Sequence, residues 1–495
     1  MLRAIYENIQ GGHEVRKNLI ELKKLLKEES NRMAFIYYLA GSYTLLYKLL
    51  EDEDAKVRKN TALIMGELAV PEFVDKLFEA YIKEDKLFVK GDYLVALSHL
   101  DYRHLLEELK ERLSFLTTSN FEETSMKHIH EEMKILTNMI LDIERPEGHT
   151  FMGYDELSDL ILLTNRDHQY ITLEQIHQGN KRIFNAGVLV RTKDLKEILS
   201  IRTYSELLFR LKDVATVVND PTEAAMAIYK GGLLAFLTKR HTGELPYYFR
   251  LEIKTKMPLD KKSAFAKKLA FELEKASDRA LINSTSNYEV EIRLVENKEG
   301  QFNVLLKLYT IKDERFEYRK HAVAASIQPV TAALVAKISE PYLKEGVQVL
   351  DPFCGVGTML IERHKLVPAN PMYGIDLFGE AIDKAIINTK RAEAVINFIN
   401  RDFFDFTHNY LFDEIFTNMP TRGGRKSEQE MVMLYHEFFN KALSVLKNEA
   451  VIIMYTRDKS LVLKEVSSRS QCTVLEEYAI SKKEDAYLYI IGINQ

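Results

Sequence analysis

One stretch, Val347-Gln-Val-Leu-Asp-Pro-Phe-Cys-Gly-Val-Gly-Thr358, constrains the fold of this chain more than any other. Val347, Val349 and Leu350 form a short apolar run after Gly346, which predicts a buried parallel strand. Asp351 ends that strand. Gly355 and Gly357 follow with one residue between them, and Thr358 to Glu362 opens a helical pattern. Strand, Gly-x-Gly turn and helix together let backbone approach a nucleotide closely, in the crevice at the carboxyl ends of an open α/β sheet. The spacing is not that of the dinucleotide fingerprint. A third glycine is missing, and an acid precedes the pair. A carboxylate there repels a pyrophosphate and suits a cationic or amine-bearing ligand.

The string resembles motif I of class I S-adenosylmethionine-dependent methyltransferases, in the Asp-Pro-x-Cys-Gly-x-Gly-Thr form found in RNA base methylases. The resemblance implies S-adenosylmethionine as cofactor. It makes Asp351 the acid for the cofactor's ammonium group, directly or through water, and places Phe353, Gly355, Gly357 and Thr358 around the cofactor. Cys354 reads as a small buried filler, with a nucleophile as the alternative. The nearest histidine, His364, lies well down the following helix, where nothing activates the thiol.

The next strand, Met372 to Asp376, also ends in an acid, 25 residues after Asp351. An acid ending the second strand can accept both hydroxyls of an adenosine ribose. A helix is predicted from Ala381 to Ala394, then a third strand from Asn397 that ends at Asp402 and Phe403. Asp402 resembles the family residue that bonds the adenine amino group, with Phe403 stacking or packing against the ring. Three acids ending three successive strands thus read as contacts for amino acid, ribose and adenine. Upstream, Ser326-Ile-Gln-Pro329 leads into a predicted helix, Val330 to Ile338. In related enzymes this element packs beside the methionine end of the cofactor, which makes Ser326, Gln328 and Pro329 candidate contacts. Free N–H groups at a helix start suit a carboxylate. Ser326 read alone is an N-cap.

A fourth strand, Glu414 to Thr417, runs into Asn418-Met-Pro-Thr-Arg-Gly-Gly-Arg425. Amino-group methylases of this class usually carry Asn or Asp, Pro, Pro, then Tyr or Phe at this point. Their Asn side chain and a backbone carbonyl accept hydrogen bonds from the target NH2, which aims the nitrogen lone pair at the methyl group. Asn418 and Pro420 match and are the expected catalytic pair; Met419 and Thr421 do not match. The missing aromatic removes a base-stacking partner worth about 1–3 kcal/mol, and Tyr455 is a candidate replacement. Arg422, Gly423, Gly424 and Arg425 match a Gly-Arg loop of the RNA guanine-N2 branch, suited to phosphate contact. Two further strands, Ala450 to Tyr455 and Ala486 to Ile491, complete the expected seven-strand pattern.

At 495 residues the chain is too long for one core, and about three domains are expected. Leu2 to Ile143 reads as helix throughout. Within it, Leu45 to Leu68 pairs an apolar helix, an acidic turn and a second helix, and resembles a HEAT-type repeat. This region is expected to be either a docking surface for a protein partner or a helical cap on the rest. Pro146 and Gly148 punctuate the first boundary.

From there strands alternate with helices. Strands are expected at Leu160–Thr164, Gly187–Arg191, Tyr247–Lys254, Tyr288–Val295 and Phe302–Tyr309. Helices are expected at Ile171–Ile176, Tyr204–Phe209 and Lys261–Leu273, the last with Phe265, Leu269 and Leu273 on one face. The pattern resembles a ferredoxin-like lobe followed by a THUMP-type RNA-binding domain. Its basic, aromatic end, Glu314 to His321, is similar to the junction before the catalytic domain in THUMP methylases and makes Arg319 and Lys320 candidate RNA contacts.

Charge supports the placement of RNA. The chain is −5 overall, which argues against wholesale coating of nucleic acid. Residues 151–325 hold 28 Lys/Arg against 24 Asp/Glu, a local +4. The two cysteines, Cys354 and Cys472, offer neither a disulfide framework nor a metal cluster. No apolar run is long enough for a bilayer, and the first residues lack a leader's apolar core. A cytoplasmic, metal-free protein with no membrane contact is expected.

The expected architecture is multidomain: an all-α solenoid-like region (1–145), an α+β ferredoxin-like and THUMP-like region (151–322), and a Rossmann-like seven-stranded α/β methyltransferase domain (323–495). The resemblance implies methylation of an exocyclic base nitrogen, guanine N2, in tRNA or rRNA. Two alternatives stand beside it. One is a catalytically silent, cofactor-binding RNA scaffold, suggested by the drifted Asn418–Thr421 motif. The other is an adenine-N6 or DNA methylase, against which the THUMP-like segment counts.

Overall fold

Helical periodicity in the first part of the chain and alternating strands afterwards yield two compact units, residues 1–148 and 149–495. The structure, a computed structural model, describes residues 2–119, 121–122, 124–144, 148–324, 326–421 and 427–494.

The first unit is built from helices. The acidic turn between Thr44–Leu50 and Ala55–Leu68 is a start signal: the Asp54 carboxylate accepts from the Lys56 N–H at 2.8 Å and caps the second helix. That helix buries Val57, Ile64, Met65 and Leu68 in one apolar cluster with Phe73, Leu77, Tyr93 and Leu97 of the next two helices, Phe73–Lys83 and Leu87–Leu97. Arg58 grips Glu84 through two bonds, 2.9 and 2.6 Å, tying one helix pair to the next.

In the second unit, residues 158–308 share one nine-stranded sheet over one continuous core. Its path runs Asn180–Phe184, Gly187–Thr192, Ser158–Thr164, Tyr204–Arg210, Phe302–Leu308, Val290–Glu296, Tyr247–Lys254, Leu281–Asn283, with Thr216–Val217 also on Phe302–Leu308. Tyr204–Phe209, expected as a short helix, lies in the strand Tyr204–Arg210. It lies between Ser158–Thr164, paired from Asp159↔Arg210 to Thr164↔Tyr204, and Phe302–Leu308, paired at Leu306↔Phe209. Bonding on both edges outweighs the weak helical preference of Glu206-Leu-Leu208. The helix expected around Phe265 spans Leu259–Ala276 and buries Phe265, Leu269 and Leu273 as its spacing requires.

The remainder folds around a seven-stranded sheet. Its strands are β1 (Val349–Asp351), β2 (Met372–Asp376), β3 (Asn397–Asn400), β4 (Phe412–Asn418), β5 (Leu446–Thr456), β6 (Cys472–Ser481) and β7 (Ala486–Ile493). The order is β3-β2-β1-β4-β5-β7-β6, parallel except for β7, which runs antiparallel to both neighbours. The order reverses at β1, so the crevice of such a sheet opens at the carboxyl ends of β1 and β4. Helices α1 (Pro329–Ser339) and α2 (Thr358–Leu366) share an apolar cluster with one face. Helix α4 (Glu428–Val445) and the helix Lys459–Ser467 share another with the opposite face. Helix α3 (Gly379–Arg391) links β2 to β3. Strand β6 is an edge strand with many exposed positions, and its weak alternation explains why the sequence does not mark it.

No helix among the described residues is long and apolar enough to cross a membrane. Ser326 does not cap α1. Gln328 occupies that position without a side-chain cap bond, and Ser326 instead closes a turn by accepting from the Val323 N–H at 2.9 Å.

The sheet is joined to α2 by a fully buried ion pair. Arg363 donates to both Glu414 oxygens at 2.9 and 2.7 Å, to the Lys344 carbonyl at 2.9 Å and to the Val367 carbonyl. Both side chains are all but excluded from solvent. Removing one partner strands the other's charge in the core, so Arg363→Ala is expected to cost about 3–5 kcal/mol of stability, measured by urea denaturation.

Candidate active site

The glycine turn is shaped by backbone angles that L side chains avoid. Gly355 has φ +52° and Gly357 φ +80°. A Cβ at Gly355 would meet nothing within 4 Å, so space is open above the turn. The turn is held from the next strand, where Asp376 accepts from the Gly355 N–H at 2.9 Å through one oxygen and from the Phe378 N–H at 2.9 Å through the other.

Asp351 is completely buried. Its Oδ1 accepts from the Thr417 hydroxyl at 2.7 Å and from the Phe353 N–H at 3.1 Å. Its Oδ2 has no hydrogen-bond partner, and neither has the buried Thr358 hydroxyl at the start of α2. Burial pushes the Asp351 carboxyl up to about 7, with the nearby Asp376 carboxylate adding to the rise and the bonds from Thr417 and Phe353 opposing it. An unpaired buried carboxylate oxygen below an open glycine turn fits a ligand that brings a cation.

Thr417 precedes Asn418, so its bond to Asp351 brings the fourth strand's end against the first strand's end. Asn418 is half-buried and pairs in register with Tyr455 of β5. Among the described residues nothing bonds its carboxamide. Met419 is 1% exposed and packs in the cluster that holds Met431, Tyr435 and Phe438. Its N–H donates to the Tyr455 carbonyl at 2.9 Å, a bond that proline in the same place lacks a hydrogen to make. Pro420 is half-buried and Thr421 is exposed. Tyr455, the candidate stacker, is 8% exposed and sits in the core with Phe416 and Ile453, so its ring offers no open face to a base. Arg422 and Arg425, with Gly423 and Gly424, lie outside the described residues.

The other candidates are placed as follows. The Asp402 side chain accepts from the Phe404 N–H at 3.0 Å and caps a short 3-10 turn. Phe403 is 2% exposed and packs edge-on against Phe353, with ring centroids 5.9 Å apart, so it supports Phe353 from below rather than facing a ligand. Arg319 Nη1 reaches Gln328 Oε1 at 3.5 Å, which brings a residue expected on RNA beside one expected on the cofactor; Lys320 is exposed. Pro329 is the first residue of α1. Cys354 is buried, and burial with the carboxylates of Asp351 and Asp376 pushes its thiol well up, which removes the nucleophile reading.

Two residues escaped sequence reasoning. Thr417 is a lone hydroxyl at the end of the apolar run Ile415-Phe416. Asn388 falls on the buried face of α3, in helical register with Ala381 and Ala385. A polar residue on an apolar stripe was the available signal in both cases.

Residues 317–484 match the family model described as UPF0020: RMKL-like, methyltransferase domain. The chain carries a methyltransferase domain. It is accordingly an enzyme, and its methyl donor is S-adenosylmethionine. Among solved structures, TrmN from Thermus thermophilus is 17% identical, with a TM-score of 0.52 over 68% of this chain and 99% of its own. SMU.472, solved in complex with SAH, is 14% identical, with a TM-score of 0.53 over 68% of this chain and 98% of its own. At these identities the likeness is one of fold. No curated protein sequence matches the chain.

The Asp351 environment predicts a pH effect. A folded-state pKa raised above the unfolded value means this group's contribution to stability is complete near pH 4 and is lost as pH rises through about 7. Asp351→Asn keeps an acceptor for Thr417 and removes the titration. Relative to that variant, the ligand-free wild type should lose roughly 2–3 kcal/mol between pH 5 and 8 in urea unfolding.

Proposed function

We propose that the protein methylates an exocyclic base amine of RNA, the N2 nitrogen of a guanine in tRNA or rRNA. The observation that carries this reading is Asn418, a half-buried carboxamide with no partner among the described residues, held at the carboxyl edge of β4 by the Thr417–Asp351 bond. A fixed amide acceptor there suits an NH2 target. It holds the amine by its hydrogens and leaves the lone pair free.

S-adenosylmethionine supplies an electrophilic methyl group on a sulfonium. In this reading Asp351 takes the ammonium, Asp376 the ribose hydroxyls and Asp402 the adenine amine, while Ser326, Gln328 and Pro329 lie near the carboxylate. Gly355, Gly357 and Thr358 line the turn, with Phe353 beside it. Each Asp376 oxygen has one backbone donor and keeps a lone pair for a hydroxyl. That SMU.472, a protein of similar fold, was solved in complex with SAH supports S-adenosylmethionine as the cofactor. Asn418 and the backbone at Pro420 orient the target, so positioning rather than acid–base chemistry carries the rate.

RNA contact is assigned to Arg319 and Lys320, to Thr421, Arg422 and Arg425, and to the THUMP-like residues 151–322. The local +4 charge supports this, and binding is expected to fall steeply with salt. The HEAT-like residues 1–145 are assigned to a protein partner. A cytoplasmic site of action goes with these assignments.

Mass spectrometry of nucleosides from total tRNA and rRNA, with and without the gene, tests the target. Loss of N2-methylguanosine is expected; loss of N6-methyladenosine instead would move the target to adenine, and no change in either fraction would overturn the RNA reading. Two variants test the roles. Asn418→Ala should lower the methylation rate about a hundredfold or more with little change in SAH affinity by calorimetry. Asp376→Ala should weaken SAH binding by about 1.5–3 kcal/mol.

A further inference from the structure

The segment that joins the nine-stranded sheet to the catalytic domain is tied down at every few residues. Arg202, on the sheet side, donates to both Glu362 oxygens of α2 at 2.8 and 2.7 Å and lies over the Phe316 ring, 4.7 Å from its centroid. The Tyr318 hydroxyl donates to the same carboxylate at 2.6 Å. The Glu317 carbonyl accepts two bonds from Arg391 of α3, both 3.1 Å. Tyr318 is buried with Ile361 of α2 and Ala392 just beyond α3.

Asn388 makes the last and most consequential of these ties. It is completely buried. Its Oδ1 accepts from the His321 N–H at 3.1 Å, and its Nδ2 donates to the His321 carbonyl at 2.9 Å. The same Nδ2 also donates to the Val356 carbonyl at 3.2 Å, and Val356 stands between Gly355 and Gly357. A single amide therefore holds the junction backbone by both its polar groups and the cofactor turn by its central carbonyl. The bonds to His321 form the two-point pairing that one strand makes with another, here offered by a side chain.

We infer that Asn388 is a positioning residue that couples the junction, and through it the RNA-assigned region, to the glycine turn of the methyl-donor site. The turn is held at the Gly355 N–H by Asp376, and Asn388 adds a second brace at the Val356 carbonyl, the only one of the two that also holds the junction backbone. Whatever seats the junction then seats the turn. Because coupling between sites is reciprocal, filling the turn also secures the junction. The inference rests on the placement of the cofactor at this turn.

The test uses the full chain and S-adenosylhomocysteine. In wild-type protein, hydrogen exchange of peptides covering 314–324 should slow several-fold when SAH is added. In Asn388→Ala, SAH should bind about tenfold more weakly, and the KM for the methyl donor should rise while kcat changes by less than twofold. That split separates a brace on the turn from general damage to the fold. Unchanged SAH affinity in a folded Asn388→Ala protein would overturn the inference, and so would unchanged exchange at 314–324 in wild type, which remains readable if the variant does not fold. Asp376→Ala distinguishes the two levels of argument: if it too leaves SAH affinity unchanged, the cofactor placement itself has failed.

Discussion

A carboxyl group that the fold buries and only half satisfies governs this catalytic domain. Asp351 ends β1 where the sheet order reverses, and Thr417 spends its hydroxyl on one oxygen. That bond extends the ladder pairs Val349↔Glu414 and Leu350↔Ile415 to the strand ends, and so sets how the glycine turn and Asn418 stand to each other. The other oxygen is buried and left without a hydrogen-bond partner. An orphaned buried acceptor costs free energy until something binds it. In the proposed reading, folding cost and ligand recognition are located in the same atom.

Motif I was legible because its requirements are local. A strand end, two glycines and a helix start succeed one another along the chain, and the structure realises them in that order as β1, the turn and α2. The acid ending β2 was legible for the same reason, although its part in holding the Gly355 N–H was not. Residues whose roles come from contacts distant in sequence were opaque. Asn388 reaches His321 across 67 positions and Val356 across 32, and nothing in its own neighbourhood announces either bond. Tyr204–Arg210 failed similarly: both of its strand partners lie far along the chain, so local preference pointed to the wrong element.

The drift at the end of β4 has a packing explanation. Met419 replaces a proline usual in amino-group methylases, fills an apolar cluster beneath α4, and restores a backbone bond to β5. The substitution tightens the platform on which Asn418 stands. Thr421 is a different matter. It is exposed, and the buried Tyr455 does not compensate for the missing aromatic. The site keeps the carboxamide to which the proposal gives the target amine, and Tyr455 does not stand in for the usual stacker.

The edge of the catalytic sheet joins the nine-stranded region in a way that frees its sequence. Asn165 Nδ2 donates to the Ile480 carbonyl at 2.6 Å, and His168 Nε2 lies 2.9 Å from the Ala479 carbonyl. Both recognise main chain, which every residue type presents alike. Strand β6 can therefore accumulate substitutions on its exposed positions while the seam remains closed. An insertion or deletion that slides these carbonyls out of reach would open it. Divergence within β6 should accordingly be rich in replacements and poor in length changes.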